Sequence, residues 1–321
     1  GIYIHIPFCK QSCYYCPYIR YFYDKFLELK YIEAIKKEIY YYSKLFPELI
    51  VDSVYFGGGT PTVLSEKLVE IINILRENFK IVGPFCIETN PEDLDYDKIC
   101  MLKSNGIEYI SLGIQSFNPK FLNFLGRRYS IEKTEKILSW LKEIKFKGVN
   151  IDLMFAFPGQ SIKELKNDLD IATSNFVDEV TAYPLFIFSH SSFGESHNLK
   201  NVKMPKFFLR KKMYYFLYDY LIKKGYKRIA HLAGPPENSD AKTRMEGYKT
   251  ALENHKIPYK DELIFYGDFK LKSGIKGFEH FMKFKKLWIW LSIGVFILIV
   301  LSVVAPKIGL IEKGKIYLTP K

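Results

Sequence analysis

Apolar and polar positions along residues 1–185 follow two alternating periods. Short runs rich in β-branched and aromatic residues recur at Ile2–Ile6, Ser53–Phe56, Phe85–Thr89, Tyr109–Gly113, Val149–Met154 and Glu179–Tyr183. Between them lie Phe26–Leu45, Glu66–Phe79, Leu94–Asn105, Ile131–Phe146 and Ile162–Asn175, with apolar residues at helical spacing. The first kind predicts strands and the second helices. Strand and helix alternating in this way predict a parallel sheet covered by helices. Right-handed crossovers in series curl such a sheet toward a partial (β/α)6, TIM-like barrel, with ligands at the C-terminal ends of its strands.

The texture changes further on. A helix over Phe207–Lys224 ends at Gly225, a good C-cap residue. Arg228–Ala233 reads as a strand, Asp240–His255 as a helix capped by Asp or Ser, and Leu263–Tyr266 as a second strand. This βαβ unit is too small to bury a core alone. Leu287–Ala305 is an uncharged, mostly apolar stretch preceded by Lys283, Lys285 and Lys286, as expected of a membrane-spanning helix with residues 1–286 on the cytoplasmic side. Three regions follow: 1–227, 228–281 and 282–321. The chain opens inside a strand pattern, so we expect a piece truncated at its N-terminus.

Charge separates the same regions. Residues 1–199 carry 22 Lys/Arg against 25 Asp/Glu, whereas residues 200–286 carry 21 against 9. The near-neutral barrel gives no indication of nucleic-acid binding. The basic stretch reads as a solvated lysine-rich surface, with phosphates or anionic lipid as the alternative partners. Of five cysteines, three sit within eight residues while Cys86 and Cys100 stand apart. That distribution argues for metal ligation in a reducing, cytoplasmic setting and against a disulfide framework.

The chemistry-bearing motifs fall where the predicted strands end. Cys9-x3-Cys13-x2-Cys16 follows the first strand. Thiolates ligate Fe–S clusters, and three of them can hold three irons of a cubane and leave the fourth open. A zinc site short of one sulfur ligand is the other reading of such a trio. Gly57-Gly58-Gly59-Thr60-Pro61-Thr62 follows the second strand, where glycines let backbone approach a ligand, or simply turn. Glu88, Gln115 and Asp152 stand in or at the ends of the next three strands. A polar group in an apolar strand is costly unless partnered. Each alone could be a satisfied core group; three at equivalent places favour a shared polar ligand. His5 lies within the first strand and reads as packed or hydrogen-bonded rather than catalytic.

Together these motifs resemble the radical S-adenosylmethionine (SAM) superfamily, most closely its oxygen-independent coproporphyrinogen III oxidase-like family, which includes haem chaperones. The resemblance covers about residues 1–227. It implies a [4Fe–4S] cluster on Cys9, Cys13 and Cys16 within a barrel of the radical SAM type. It implies SAM chelating the open iron, with Gly58, Gly59 and Thr60 at its methionine end. Glu88, Gln115, Arg127 and Asp152 would bind SAM, and Tyr3 and Tyr15 would contact its nucleoside. An electron from a donor such as flavodoxin or ferredoxin would cleave SAM to a 5′-deoxyadenosyl radical that abstracts hydrogen from a porphyrinogen. Haem is the ligand if the chain is chaperone-like. Phe157-Pro158-Gly159-Gln160 also fits, with Ala156 where the family usually has glycine. The decarboxylating members carry a further cysteine where Tyr18 stands, and an N-terminal extension that this chain lacks; both departures favour a chaperone-like or undefined relative.

Residues 228–281 resemble part of the sugar-effector domain of LacI-type repressors, through Arg228–Pro236, Arg244–Tyr248 and Gly267-Asp268-Phe269. That resemblance implies a sugar-binding Arg244 and a stacking Phe269, though one βαβ unit is little of such a domain. From Met282 on, the chain resembles the membrane anchor of another protein. Three partial sequences joined end to end account for this most simply. An enzyme, a chaperone, a membrane-tethered ligand-binding protein and an inactive composite are the competing expectations.

Overall fold

The computed structural model describes residues 1–16, 21–174, 177–187, 191–195, 202–226 and 228–268, with isolated positions beyond. Six strands form one parallel sheet in sequential order: β1 (Ile2–Ile6), β2 (Val54–Gly58), β3 (Phe85–Thr89), β4 (Ile107–Gln115), β5 (Gly148–Phe155) and β6 (Glu179–Pro184). The helices are α1 (Lys25–Leu45), α2 (Glu66–Asn78), α3 (Tyr96–Ser104), α4 (Pro119–Leu125), α5 (Ile131–Ile144), α6 (Ile162–Ser174), α7 (Phe207–Lys223) and α8 (Ser239–Asn254). The expected strand–helix alternation holds. β4 and β5 extend beyond their expected bounds, and α4 is an element the apolar period did not announce.

Local chemistry sets where the helices begin. Asp24, Asp95, Asn118 and Ser130 each accept a hydrogen bond from a backbone N–H in the first turn of the helix that follows. Ahead of α6, Ser161 and Glu164 cap one another: the Ser161 N–H donates to Glu164 and the Glu164 N–H donates to Ser161 Oγ. The α5 helix stops at Lys145, which takes a left-handed conformation and so ends the helix before the expected Phe146.

Each strand sends alternate side chains to opposite faces. Ile4 and Ile6, Val54 and Phe56, Ile87, Ile110 and Leu112, and Val149 and Ile151 share one core with Ile35, Leu68, Ile71, Leu102, Leu138 and Leu165 of the helices. The other face is different. Tyr3 pairs with Tyr55, Glu88 with Ser111, Ser111 with Asn150, and Asp152 with Thr181. Parallel strands buried on both faces normally read as continuous apolar runs. Here a polar stripe crosses the inner face from β1 to β6.

The α7 helix connects this body to the second unit. Tyr220 Oη donates to Asp170 on α6 at 2.5 Å. On the other side α7 packs on α8, where a Cβ at Gly247 would meet the Tyr215 ring at 2.0 Å. Two short parallel strands complete the unit, β7 (His231–Ala233) and β8 (Ile264–Tyr266). The expected strand from Arg228 therefore starts later. The α8 cap is Asn238, whose side chain accepts from the Ala241 N–H, so the cap lies just ahead of the expected Ser or Asp. Met245, Tyr248, Ala251, Leu252 and Ile264 join the same core as Leu217, Tyr218 and Leu221 of α7. The small unit thus completes its core with a helix outside it. Among the described residues no helix is long and apolar enough to cross a membrane; Leu287–Ala305 and Phe269 lie outside them.

Candidate functional site

The cysteine loop is held at both of its flanks. After β1, Cys9 closes a two-residue strand, Phe8–Cys9, beside Tyr21–Phe22. On its other flank the loop is pinned to the end of α4. The Tyr14 N–H donates to the Leu125 carbonyl at 3.1 Å, and the Gln11 side chain donates to the carbonyl of Gly126. Gly126 is left-handed (φ 75°), and the Arg127 N–H reaches back to the Leu122 carbonyl at 2.9 Å. This cap turns the chain so that Arg127 runs inward. A Cβ on Gly126 would lie 2.9 Å from the Tyr14 ring.

Arg127 Nη2 donates to Tyr15 Oη at 2.8 Å, and its guanidinium lies over the Tyr15 and Tyr129 rings. The Cys13 and Cys16 thiols are near enough to act on the Tyr15 phenol, which burial pushes well above its usual range. Arg127 Nε is buried with no hydrogen-bond partner among the described residues. A cation with a buried donor left short of an acceptor calls for an anionic partner.

Across the sheet, Glu88 accepts from Tyr55 Oη at 2.7 Å and from the Gly58 N–H at 3.2 Å. Tyr55 stacks on Tyr3 with ring centroids 5.8 Å apart. Asp152 accepts from Asn150 Nδ2 at 2.9 Å. Burial first, and the charge of Glu88 second, push the Asp152 carboxyl up to about 7; burial likewise raises Glu88. Gln115 accepts from Tyr183 Oη at 2.7 Å. It sits at φ 71°, just past an irregularity in the β4–β5 pairing that turns its side chain out of the regular alternation. A Cβ on Gly113 would stand 3.0 Å from Gln115 Nε2 and 3.8 Å from Arg127 Nη2, so these two residues are neighbours.

Tyr3, Tyr15, Glu88, Gln115, Arg127 and Asp152 are therefore gathered along the inner stripe and its rim. The residues that orient them were not foreseen: Tyr55 holds Glu88, Tyr183 holds Gln115, and Asn150 and Ser111 hold Asp152. Asn150 alone among them has a local signal, its i, i+2 spacing from Asp152 within an apolar strand; Tyr55, Tyr183 and Ser111 act from other strands. His5 is buried, with its Nδ1 3.3 Å from Tyr3 Oη, and burial lowers its pKa to about 4, so it is neutral at pH 7. The triglycine loop has a structural reason of its own. Cβ atoms at Gly57, Gly58 and Gly59 would strike Tyr3 and Tyr55, the His5 ring, and the Phe8 carbonyl.

None of the three cysteines is in a disulfide, and all three are partly exposed. Among the described residues no three His, Cys, Asp or Glu side chains form a group suited to a single metal ion. A cubane asks for one thiolate per iron, at separate corners. Three thiols with a half-buried guanidinium and the Glu88 and Asp152 carboxyls nearby suit a cluster beside a zwitterionic ligand. In the small unit, the Arg244 guanidinium lies over the Tyr214 ring of α7.

Comparison with known proteins agrees with the geometry. Residues 193–285 match the family of periplasmic binding proteins and the sugar-binding domain of the LacI family, a span that takes in α7. The haem chaperone HemW of Bacillus subtilis is 32% identical over 189 residues, 58% of this chain and 50% of that protein. The oxygen-independent coproporphyrinogen III oxidase of Escherichia coli is 27% identical over 250 residues, 74% of this chain and 53% of the oxidase. The chain thus spans about half the length of these relatives. A solved structure of the Escherichia coli coproporphyrinogen III oxidase HemN, described as a radical SAM enzyme, superposes with a TM-score of 0.68 at 24% identity. It covers 77% of this chain and 58% of the oxidase, and shows the shared fold. Residues 3–172, just over half of the chain, match the model of the radical SAM superfamily, and the chain belongs to that superfamily, whose cofactors are a [4Fe–4S] cluster and SAM.

Proposed function

We propose that Cys9, Cys13 and Cys16 hold a [4Fe–4S] cluster and that the polar stripe binds SAM for reductive cleavage, in the service of haem or porphyrin chemistry. The observation that carries this reading is the half-buried Arg127, whose buried Nε is unpartnered, set against Tyr15 between two of the cysteines. When bound, the cluster and SAM supply one-electron cleavage to a carbon radical. The chain's own residues bind and orient. Arg127 offers a fixed cation to a carboxylate. The half-buried Glu88 and the buried Asp152 offer acceptors to a nucleoside or an ammonium group. The Tyr3–Tyr55 stack gives a flat apolar wall.

Porphyrinogen as substrate, haem as cargo and flavodoxin or ferredoxin as electron donor rest on the names of the relatives and on the family resemblance. The chaperone reading is the second one, favoured by Tyr18 where decarboxylating members have cysteine. A membrane tether through 287–305 belongs to the same proposal and rests on hydropathy alone.

The test is anaerobic iron–sulfide reconstitution of the full chain, followed by SAM and dithionite. The expected outcome is a brown protein that forms 5′-deoxyadenosine and loses its iron on Cys13→Ala. An intact chain that takes up no iron rejects the proposal. Haem transfer without porphyrinogen turnover selects the chaperone.

A further inference from the structure

The triglycine loop meets the cysteine loop through a chain of hydrogen bonds with a defined direction. Asn90 Oδ1 accepts the backbone N–H groups of Glu92 at 2.9 Å and Asp93 at 3.2 Å. Only one orientation of the amide satisfies both donors, and it turns Nδ2 the other way. Asn90 Nδ2 then donates to the Asp93 carboxylate at 3.2 Å and to Thr60 Oγ1 at 3.1 Å. With its oxygen accepting from Asn90, the Thr60 hydroxyl directs its own proton to Cys9 Sγ, 3.6 Å away. Asp93 also pairs with Lys10 at 2.9 Å, so the chain of contacts returns to the residue after Cys9.

The backbone holds Thr60 in this place. Its N–H donates to the Phe8 carbonyl at 2.8 Å, and Pro61 restricts it to extended conformations. A Cβ on Gly59 would come within 2.5 Å of that same carbonyl and 3.0 Å of Cys9 Sγ. The two loops are therefore in contact, and the hydroxyl has little room to turn away.

We infer that Thr60 is a tuning residue for the cluster: its hydroxyl, held in the donating sense by Asn90, hydrogen-bonds the Cys9 ligand sulfur and raises the cluster's reduction potential. The inference rests on the cluster reading above, and it moves Thr60 from the methionine end of SAM to the iron–sulfur ligand. The physical reason is charge. The reduced cluster carries one more negative charge than the oxidised one, part of it on sulfur, so a donor stabilises the reduced form more.

The test is a redox titration of the reconstituted full chain without SAM, followed by the electron paramagnetic resonance of the reduced cluster. Thr60→Val keeps the shape and removes the donor, and its midpoint should fall below the wild-type value. Thr60→Ser should restore it. Asn90→Leu should lower it by less, because the hydroxyl remains but is no longer oriented. A Thr60→Val midpoint equal to wild type at equal iron content overturns the inference, as does a Thr60→Ser midpoint shifted as far as that of Thr60→Val. Should Thr60→Val bind no iron, an unshifted Asn90→Leu overturns it; loss of iron from all three variants assigns these residues to holding the loop and also overturns it. A wild-type chain without iron rejects the cluster reading itself. Failure to turn over SAM in a chain that carries a cubane leaves this measurement intact.

Discussion

Asp152 shows most directly how the sheet's inner face shapes single residues. Its carboxyl is buried beside Glu88 and titrates at about 7 against an ordinary 3.8. Between those values the folded chain holds a proton that the unfolded chain has released. Its contribution to stability is therefore full below about pH 4 and is lost as pH rises toward 7. Asp168 acts in the same direction, with burial raising it to about 6. His231 acts oppositely: burial lowers it to about 3, so its contribution is lost as pH falls through its unfolded value toward that one. Asp152→Asn retains an acceptor for Asn150 and removes the titration. We expect its urea-denaturation stability to vary less between pH 4 and 7 and to exceed wild type above pH 7 by on the order of a few kcal/mol. Parallel profiles for the two proteins would refute this. Ala156 is a second informative residue. It sits at φ 61°, a left-handed conformation that favours glycine. Its fully buried methyl recovers roughly 0.8 kcal/mol, which offsets part of the strain of about 1–2 kcal/mol.

Among the elements, α4 matters out of proportion to its length. It is only Pro119–Leu125, too short to show an apolar period. Its signals are the Asn118-Pro119 start and the Gly126 stop. That stop places Arg127 and receives the cysteine loop. In Gly126→Ala, the left-handed φ costs about 1–2 kcal/mol, and the new methyl meets the Tyr14 ring. We expect reduced chemical stability together with reduced iron uptake on reconstitution. Gly159→Ala is the control: its φ is 69°, but nothing lies within 4 Å of the new Cβ. It should lose similar stability and keep its iron. Equal iron uptake by both variants would show that the α4 cap does not position the cysteine loop.

At the scale of the whole molecule, α7 is shared property. Its Tyr220 faces α6, while Tyr218 hydrogen-bonds His231 Nδ1 at 2.7 Å and packs on Tyr248. Tyr248 is 1% exposed and donates to the Ile229 carbonyl at 2.7 Å. Truncating such a side chain typically costs about 3–5 kcal/mol. Tyr248→Ala should therefore open β7, α8 and β8 to hydrogen exchange while the six-stranded sheet stays protected and iron uptake is unchanged. Loss of protection throughout would mean that the two units unfold as one.

Local pattern determined a good deal by itself. The strand–helix alternation and the cysteine and triglycine motifs could be read directly, because each depends on residues a few positions apart. The same holds for the βαβ unit's need of outside help, which follows from its size. Tertiary structure alone decided which groups meet. Tyr55 reaches Glu88 from a neighbouring strand, Tyr183 finds Gln115 across the sheet, and Asn90 orients the Thr60 hydroxyl toward Cys9. Those partners lie roughly thirty to seventy residues apart in the chain. A hydrogen bond depends on distance and direction, and for such pairs both are set by how the strands are registered and where the helices pack, so no local period encodes them.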